Sequence, residues 1–215
     1  MDRRKALRNM GLAMGYTVAT PTLISIMQSC KGEPVLEWTP DFFTKEQGAA
    51  LTKLVDIIIP ATDTPSASEV QVNLFIDRFV NEVIEKEQQD FLKITMDRFL
   101  DKSLKDSGKE KQSDLTPEDL EKTLAEALKA TKDDRTRMFK AIDTYNESLA
   151  KGETPSIDDA VSRFSFSNSL RDFTIWGYKT SEYVGEKVLE YRPLPGEYIP
   201  CGDLQELTGG KAWSL

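Results

Sequence analysis

The chain contains no histidine. That absence removes a Ser-His-Asp triad, a histidine-ligated haem, the carboxylate–histidine di-iron bundle and the ordinary catalytic zinc site. Cysteine is nearly absent too: Cys30 and Cys201 are the two in 215 residues. No Cys-x-x-Cys pair occurs, and two cysteines make no disulfide framework. Neither Gly-x-Gly-x-x-Gly nor Gly-x-x-x-x-Gly-Lys-Ser/Thr is found. A strand–glycine loop–helix unit for a flavin, a nicotinamide or a nucleoside triphosphate is therefore not encoded. The sequence predicts no catalytic residue, no cofactor-binding residue and no metal ligand in this chain.

Strong hydrophobic runs are also scarce. The most apolar stretch, from about Gly11 to Met27, is interrupted by Gly15, Thr17, Thr20 and Pro21. A spanning helix needs about 20 predominantly apolar residues. Ahead of this stretch stand Arg3, Arg4, Lys5 and Arg8, and after it Ser29 precedes Cys30. A basic n-region, a short apolar h-region and a small residue at the end predict an export signal over residues 1–29. The adjacent Arg3 and Arg4, with Leu7 and Arg8, resemble the twin-arginine pattern. Asp2 and Ala6 stand where serine or threonine and phenylalanine are usual, so a general secretory signal is the alternative. "IMQSC" at 26–30 has the form of a loose lipoprotein cleavage site, which makes Cys30 the lipid attachment point. The polar segment 30–43 then serves as a tether.

About 185 residues follow the signal, enough for one domain with a real core. The signal holds four basic residues and one acidic, so the −8 of the whole chain becomes −11 for the rest. That surface repels nucleic acid phosphates and anionic headgroups. No nucleic acid partner is expected, and membrane attachment would rest on the lipid at Cys30.

The pattern from 44 to 182 is helical. Thr44 with Gln47 makes a capping box, Leu51, Leu54, Val55 and Ile58 share a face, and Pro60 ends the helix. After the loop "ATDTPSASEVQ", the segment 72–84 carries Val72, Phe75, Ile76, Phe79, Val80, Val83 and Ile84 as one stripe. A third segment has Phe91, Leu92, Met96, Phe99 and Leu100. Residues 105–114 read as a solvated linker, and Thr116-Pro117 starts another helix. A further helix covers "DDRTRMFKAIDTYNESLA". Ser156 is expected to cap residues 157–180, one helix or two, with Phe164, Phe166, Phe173, Ile175 and Trp176 buried. The pairs Asp133–Asp134 and Asp158–Asp159 sit where helices begin, as the helix dipole favours. The fold class is all-α, about six helices in one bundle-like domain.

Residues 183–215 differ. Pro193, Pro195 and Pro200, with five glycines, forbid a long helix. Tyr183, Tyr191, Tyr198 and Trp213 supply too much aromatic surface for a disordered tail. Such an extended segment either wraps its own helices or lies on another chain, where tyrosine and tryptophan act as anchors. Tyr191, Pro193, Pro195, Tyr198, Cys201 and Trp213 are the candidate contacts. Once Cys30 is lipidated, Cys201 is left alone, buried or paired with another chain.

"LVDIIIPATDTPSASEVQVNLFIDRFV" (54–80) and "WGYKTSEYVGEKVLEYRPLPGEYIPCGDL" (176–204) resemble the gluconate 2-dehydrogenase subunit 3 family. The features that carry the resemblance are "IIPATDTPSA", the "FID" of the next helix and "YRPLPGEYIPC" near the end. The resemblance implies a small subunit without a redox centre. FAD would reside in its partner, the large subunit, a flavoprotein of the glucose–methanol–choline (GMC) type that oxidises a sugar or sugar acid. The small subunit would stabilise that flavoprotein and carry it, folded, across the membrane to the periplasm. Lipidation at Cys30 is not part of the family pattern and implies a membrane-anchored complex. The alternative is a stand-alone helical envelope lipoprotein acting as a ligand-binding or scaffold module. Arg3→Lys with Arg4→Lys is expected to hold the chain in the cytoplasm, and Cys30→Ala to release it from the membrane fraction. Fractionation with immunodetection checks both, and export unchanged in a strain without the twin-arginine translocase would refute the first.

Overall fold

A computed structural model describes residues 38–192, 196, 199 and 201–214. Arg3, Arg4 and Cys30 lie outside these residues, and so do Pro193, Pro195 and Tyr198. All described residues belong to one unit, Trp38–Leu215. Six long helices build it: α1 (Lys45–Ile58), α2 (Val72–Glu82), α3 (Lys86–Ser107), α4 (Pro117–Leu128), α5 (Lys132–Ala150) and α6 (Asp159–Lys179). A π-helical turn, Val184–Val188, and a short helix α7, Leu204–Thr208, follow in the tail. Among the described residues no strand forms beyond one isolated bridge, and no helix is long and apolar enough to cross a membrane.

The helix starts follow local chemistry. Thr44 and Gln47 form the expected capping box on α1. Thr116 with Asp119 does the same for α4, with Pro117 in its first turn, and Thr131 with Asp134 for α5. The acid pairs are accounted for as well: Asp134 completes a box, and Asp158 caps α6 by accepting from Ala160 N–H at 2.8 Å. The cap of α6 is thus Asp158, not Ser156, because a carboxylate directly before the helix reaches two of its free N–H groups. Residues 159–179 are one continuous helix. The expected linker begins late, since α3 runs on to Ser107 and stops at Gly108, which takes φ 68°.

α6 is central. It packs against α1, α2, α3, α4 and α5, most extensively against α3. Leu54, Val55, Phe99, Leu100, Leu120 and Phe166 form the middle of the core. Phe164 and Phe166 are buried as expected, but Ile175 and Trp176 are 42% and 43% exposed. The stripe on α2 also ends early, because the helix stops at Glu82 and leaves Val83 62% exposed.

Two polar contacts set the ends of the bundle. Arg98 on α3 donates to Ile157 O at 2.6 Å and to Ser162 Oγ at 2.7 Å, fixing the start of α6. Asp77, the acid of "FID", is 1% exposed. It accepts from the backbone N–H groups of Asp41 (2.7 Å), Phe42 (3.1 Å) and Phe43 (3.1 Å), and so binds the segment before α1 to α2.

Removing that acceptor strands three donors, and bonds to charged groups contribute about 1.5–3 kcal/mol each. Asp77→Ala is expected to destabilise the protein by about 3 kcal/mol or more in urea unfolding. Asp77→Asn is expected to do so less, since its amide oxygen still serves two of the donors. A second expectation concerns acid. The Lys109 ammonium, and then Thr116 N–H, hold the Asp119 carboxyl at about 2, below the ordinary 3.8. A carboxyl depressed in the folded state stabilises above its unfolded value and loses that contribution as pH falls through the folded one. The difference in melting temperature between the wild type and Asp119→Asn should therefore shrink as pH is lowered from 3.8 to about 2.

Candidate partner interface

The two segments that carry the family resemblance lie far apart in the chain, and the fold joins them. Ile59 and Pro60 end α1, and residues 59–71 form a closed loop. Ser68 donates its N–H (2.8 Å) and its hydroxyl (2.7 Å) to the Asp56 carboxylate on α1. Ala67 N–H returns to Ile59 O at 3.0 Å, and the Ala67 side chain is fully buried. Gln71 then takes a left-handed conformation, φ 63°, to turn the chain into α2. From α6 the Tyr178 hydroxyl donates to Pro65 O at 2.9 Å. "IIPATDTPSA" is thus a latch, held by one carboxylate beneath and one tyrosine above.

The tail begins at the end of the same helix. Val184 in the π-helical turn is buried, and Leu189 N–H donates to Val184 O at 2.9 Å. The tail then folds back on itself. Glu190 N–H donates to Ala212 O and Ser214 N–H to Glu190 O, each at 2.9 Å, in a parallel bridge between Glu190 and Trp213. Between these ends Asp203 caps α7 through Gln205 N–H. Gly209 and Gly210, at φ 61° and 83°, reverse the chain after it. Arg192 is the clasp. Its guanidinium donates to Leu207 O at 2.8 Å, pairs with Glu190 and lies 5.1 Å from the Trp213 ring centroid.

The described part of the tail is largely non-helical, as its prolines and glycines predict, and its two ends are joined at the Glu190–Trp213 bridge. Its exposed surface carries four large apolar side chains, Tyr191, Ile199, Leu204 and Trp213, each about half exposed or more, among charged residues such as Asp203, Glu206 and Lys211. Cys201 is a free, exposed thiol. Of the candidate contacts, Tyr191 and Trp213 are brought near one another by the Glu190–Trp213 bridge. Arg192 and Asp56 are not among the residues that composition or periodicity singles out. Arg192 carried a usable signal, a lone cation inside an aromatic, proline-rich segment. Asp56 did not, because its partner Ser68 is defined only by how the loop closes.

The arrangement presents exposed aromatic side chains beside hydrogen-bonded loops, which suits binding. Among the described residues no group of three or more Cys, Asp or Glu side chains is placed to hold a metal ion. Comparison with curated proteins and with solved structures returned no match. A match does exist at the level of the family, and it spans the bundle, the latch and the start of the tail. Over residues 45–196 the chain matches the family described as gluconate 2-dehydrogenase subunit 3, and it belongs to that family.

Proposed function

We propose that this chain is a non-catalytic accessory subunit of a dehydrogenase complex. The observation that carries the reading is the family match over 45–196, since the family is named for one subunit of gluconate 2-dehydrogenase. Within that reading the partner is an FAD-dependent, GMC-type large subunit that oxidises gluconate or a related sugar. The chemistry of the large subunit explains why its companion encodes no nucleotide loop and no histidine. The chain stabilises the flavoprotein, and its twin-arginine-like signal carries the folded pair to the periplasm. Cys30, once lipidated, tethers the complex to the membrane.

The tail supports a binding role. Tyr191 and Trp213 stand at the Glu190–Trp213 bridge, so docking them costs less entropy than docking a free tail. Tyr191 and Trp213 lie on the tail's exposed surface. Tyr198, Pro193 and Pro195 extend the same segment. Cys201, exposed and unpaired, is open to a disulfide with the partner.

Purification of the tagged chain from its native membrane is expected to bring a yellow flavoprotein with sugar dehydrogenase activity. Recovery of the chain without any flavoprotein would refute the reading. Tyr191→Ala with Tyr198→Ala is expected to weaken the complex by about 2 kcal/mol or more if both are anchors, while the isolated subunit melts within a few degrees of the wild type. Calorimetry and titration of the purified subunits separate the two effects.

A further inference from the structure

A second surface, distinct from the tail, is built on the bundle itself. Phe75 and Phe79 on α2 stack at 5.8 Å between centroids. Trp176 on α6 meets both edge-on, each at 5.0 Å. Trp176 nevertheless stays 43% exposed, with Ile175 beside it and Val83 62% exposed at the end of α2. Isolated exposed apolar side chains need no explanation, but several of them on ordered helices beside a groove mark a contact surface.

Of these, Phe75, Phe79 and Val83 form a wall of a groove between α2 and α6, about 500 Å³ in volume and floored at Gly177, whereas Ile175 and Trp176 line a separate hollow with Asp172 and Lys179. That glycine explains the groove's shape. A Cβ there would stand 2.6 Å from Phe75 Cδ1 and 3.3 Å from Val72 Cγ1. Glycine in a helix costs about 1 kcal/mol relative to alanine. Its presence lets the Phe75 ring lie against the α6 backbone and keeps the groove open above it.

The groove continues into a second hollow of about 650 Å³ between the latch loop and the π-helical turn, lined by Glu69, Tyr183, Glu182, Glu186 and Lys187. Glu82 lines the first part. Among the described residues Glu82, Glu182 and Glu186 take part in no ion pair, whereas the one arginine of the groove, Arg78, faces Asp41 at 4.0 Å. The rim is therefore acidic at the latch end and the floor apolar. A complementary ligand is an apolar segment flanked by lysine or arginine.

We propose that the α2–α6 groove docks a basic-flanked apolar segment of the dehydrogenase large subunit, with its cations against Glu182 and Glu186. This rests on the reading of the chain as an accessory subunit. It adds a second contact, on the rigid bundle, to that of the tail. The latch then has a role in assembly: Tyr178 and Asp56 hold the loop that forms one wall of the acidic end.

The test uses the co-purified complex of full-length chains. Val83→Lys places charge on an exposed position of the groove wall without opening the core, so the subunit's melting temperature should stay near that of the wild type. Affinity for the flavoprotein should fall about 30-fold or more, as at an interface hot spot. Glu182→Lys with Glu186→Lys should slow association about five-fold at low salt, with the difference closing as salt is raised. Hydrogen–deuterium exchange of the wild-type complex gives a readout independent of any variant: amides of 70–83 and 177–187 should be protected relative to the free subunit. If the wild-type chain brings no flavoprotein, the accessory-subunit reading falls and the groove proposal with it. If the flavoprotein binds but the variants bind it equally and those amides exchange freely, the groove proposal alone falls. A free subunit that dimerises through the groove, with Val83→Lys dispersing the dimer and leaving the flavoprotein bound, would also overturn it.

Discussion

The structure depends on one helix being surrounded. α6 touches each of the other five long helices, so it has little room for a polar face. A helix packed on most sides must be slim as well as apolar. Ser162, Ser165, Ser167, Thr174 and Gly177 are all buried along it, alternating with Phe164, Phe166 and Leu170. The small residues admit neighbouring helices, and the large ones fill the spaces between them. The hydroxyls need not cost much where they are paired. Thr174 bonds back to Leu170 O at 2.7 Å, and Ser162 accepts from Arg98.

The same constraint explains the exposed aromatic surface. Toward its C-terminal end α6 lies against α2, and Tyr178 reaches the latch loop. There Phe75, Phe79, Phe173 and Trp176 make an aromatic cluster that leaves Trp176 43% exposed. Edge-to-face geometry holds the rings without full burial. The latch loop and the π-helical turn attach at that end, through the Tyr178–Pro65 bond and the buried Val184. A surface assembled from packed helices and bridged loops is ordered before any partner arrives, which is the physical basis of preorganised binding.

Charge has a separate role from packing. Most ion pairs here lie on the surface, among them Lys86–Asp90 and Arg171–Asp172, and such pairs contribute little each. The polar groups that matter to the fold are those whose partners are backbone: Asp77 with three N–H groups, Arg98 with Ile157 O, Lys53 with Leu115 O at 2.6 Å. Each joins a helix to a non-helical segment whose backbone groups would otherwise lack partners. Burial lowers the Lys53 ammonium below its ordinary value, as expected when a cation is drawn toward the interior to meet a carbonyl.

The sequence by itself determined the all-α class, the caps at Thr44 and Thr116 and most of the core, including Leu54, Val80, Phe99 and Phe166. Capping and 3.6-residue periodicity are local, so a single chain read in order reveals them. It also carried the family resemblance, because that rests on short motifs. The tertiary structure alone decided which apolar residues stay outside. Val83 and Trp176 belong to regular stripes, and nothing in their spacing separates them from Val80 or Phe166; exposure followed from where α2 stops and from what α6 has left beside it. The closure of the tail was likewise invisible, since the Glu190–Trp213 bridge and the Arg192 clasp join residues some twenty positions apart through backbone groups that every sequence shares. Periodicity reports which face of a helix is apolar, and only the packing of distant segments reports which part of that face is covered.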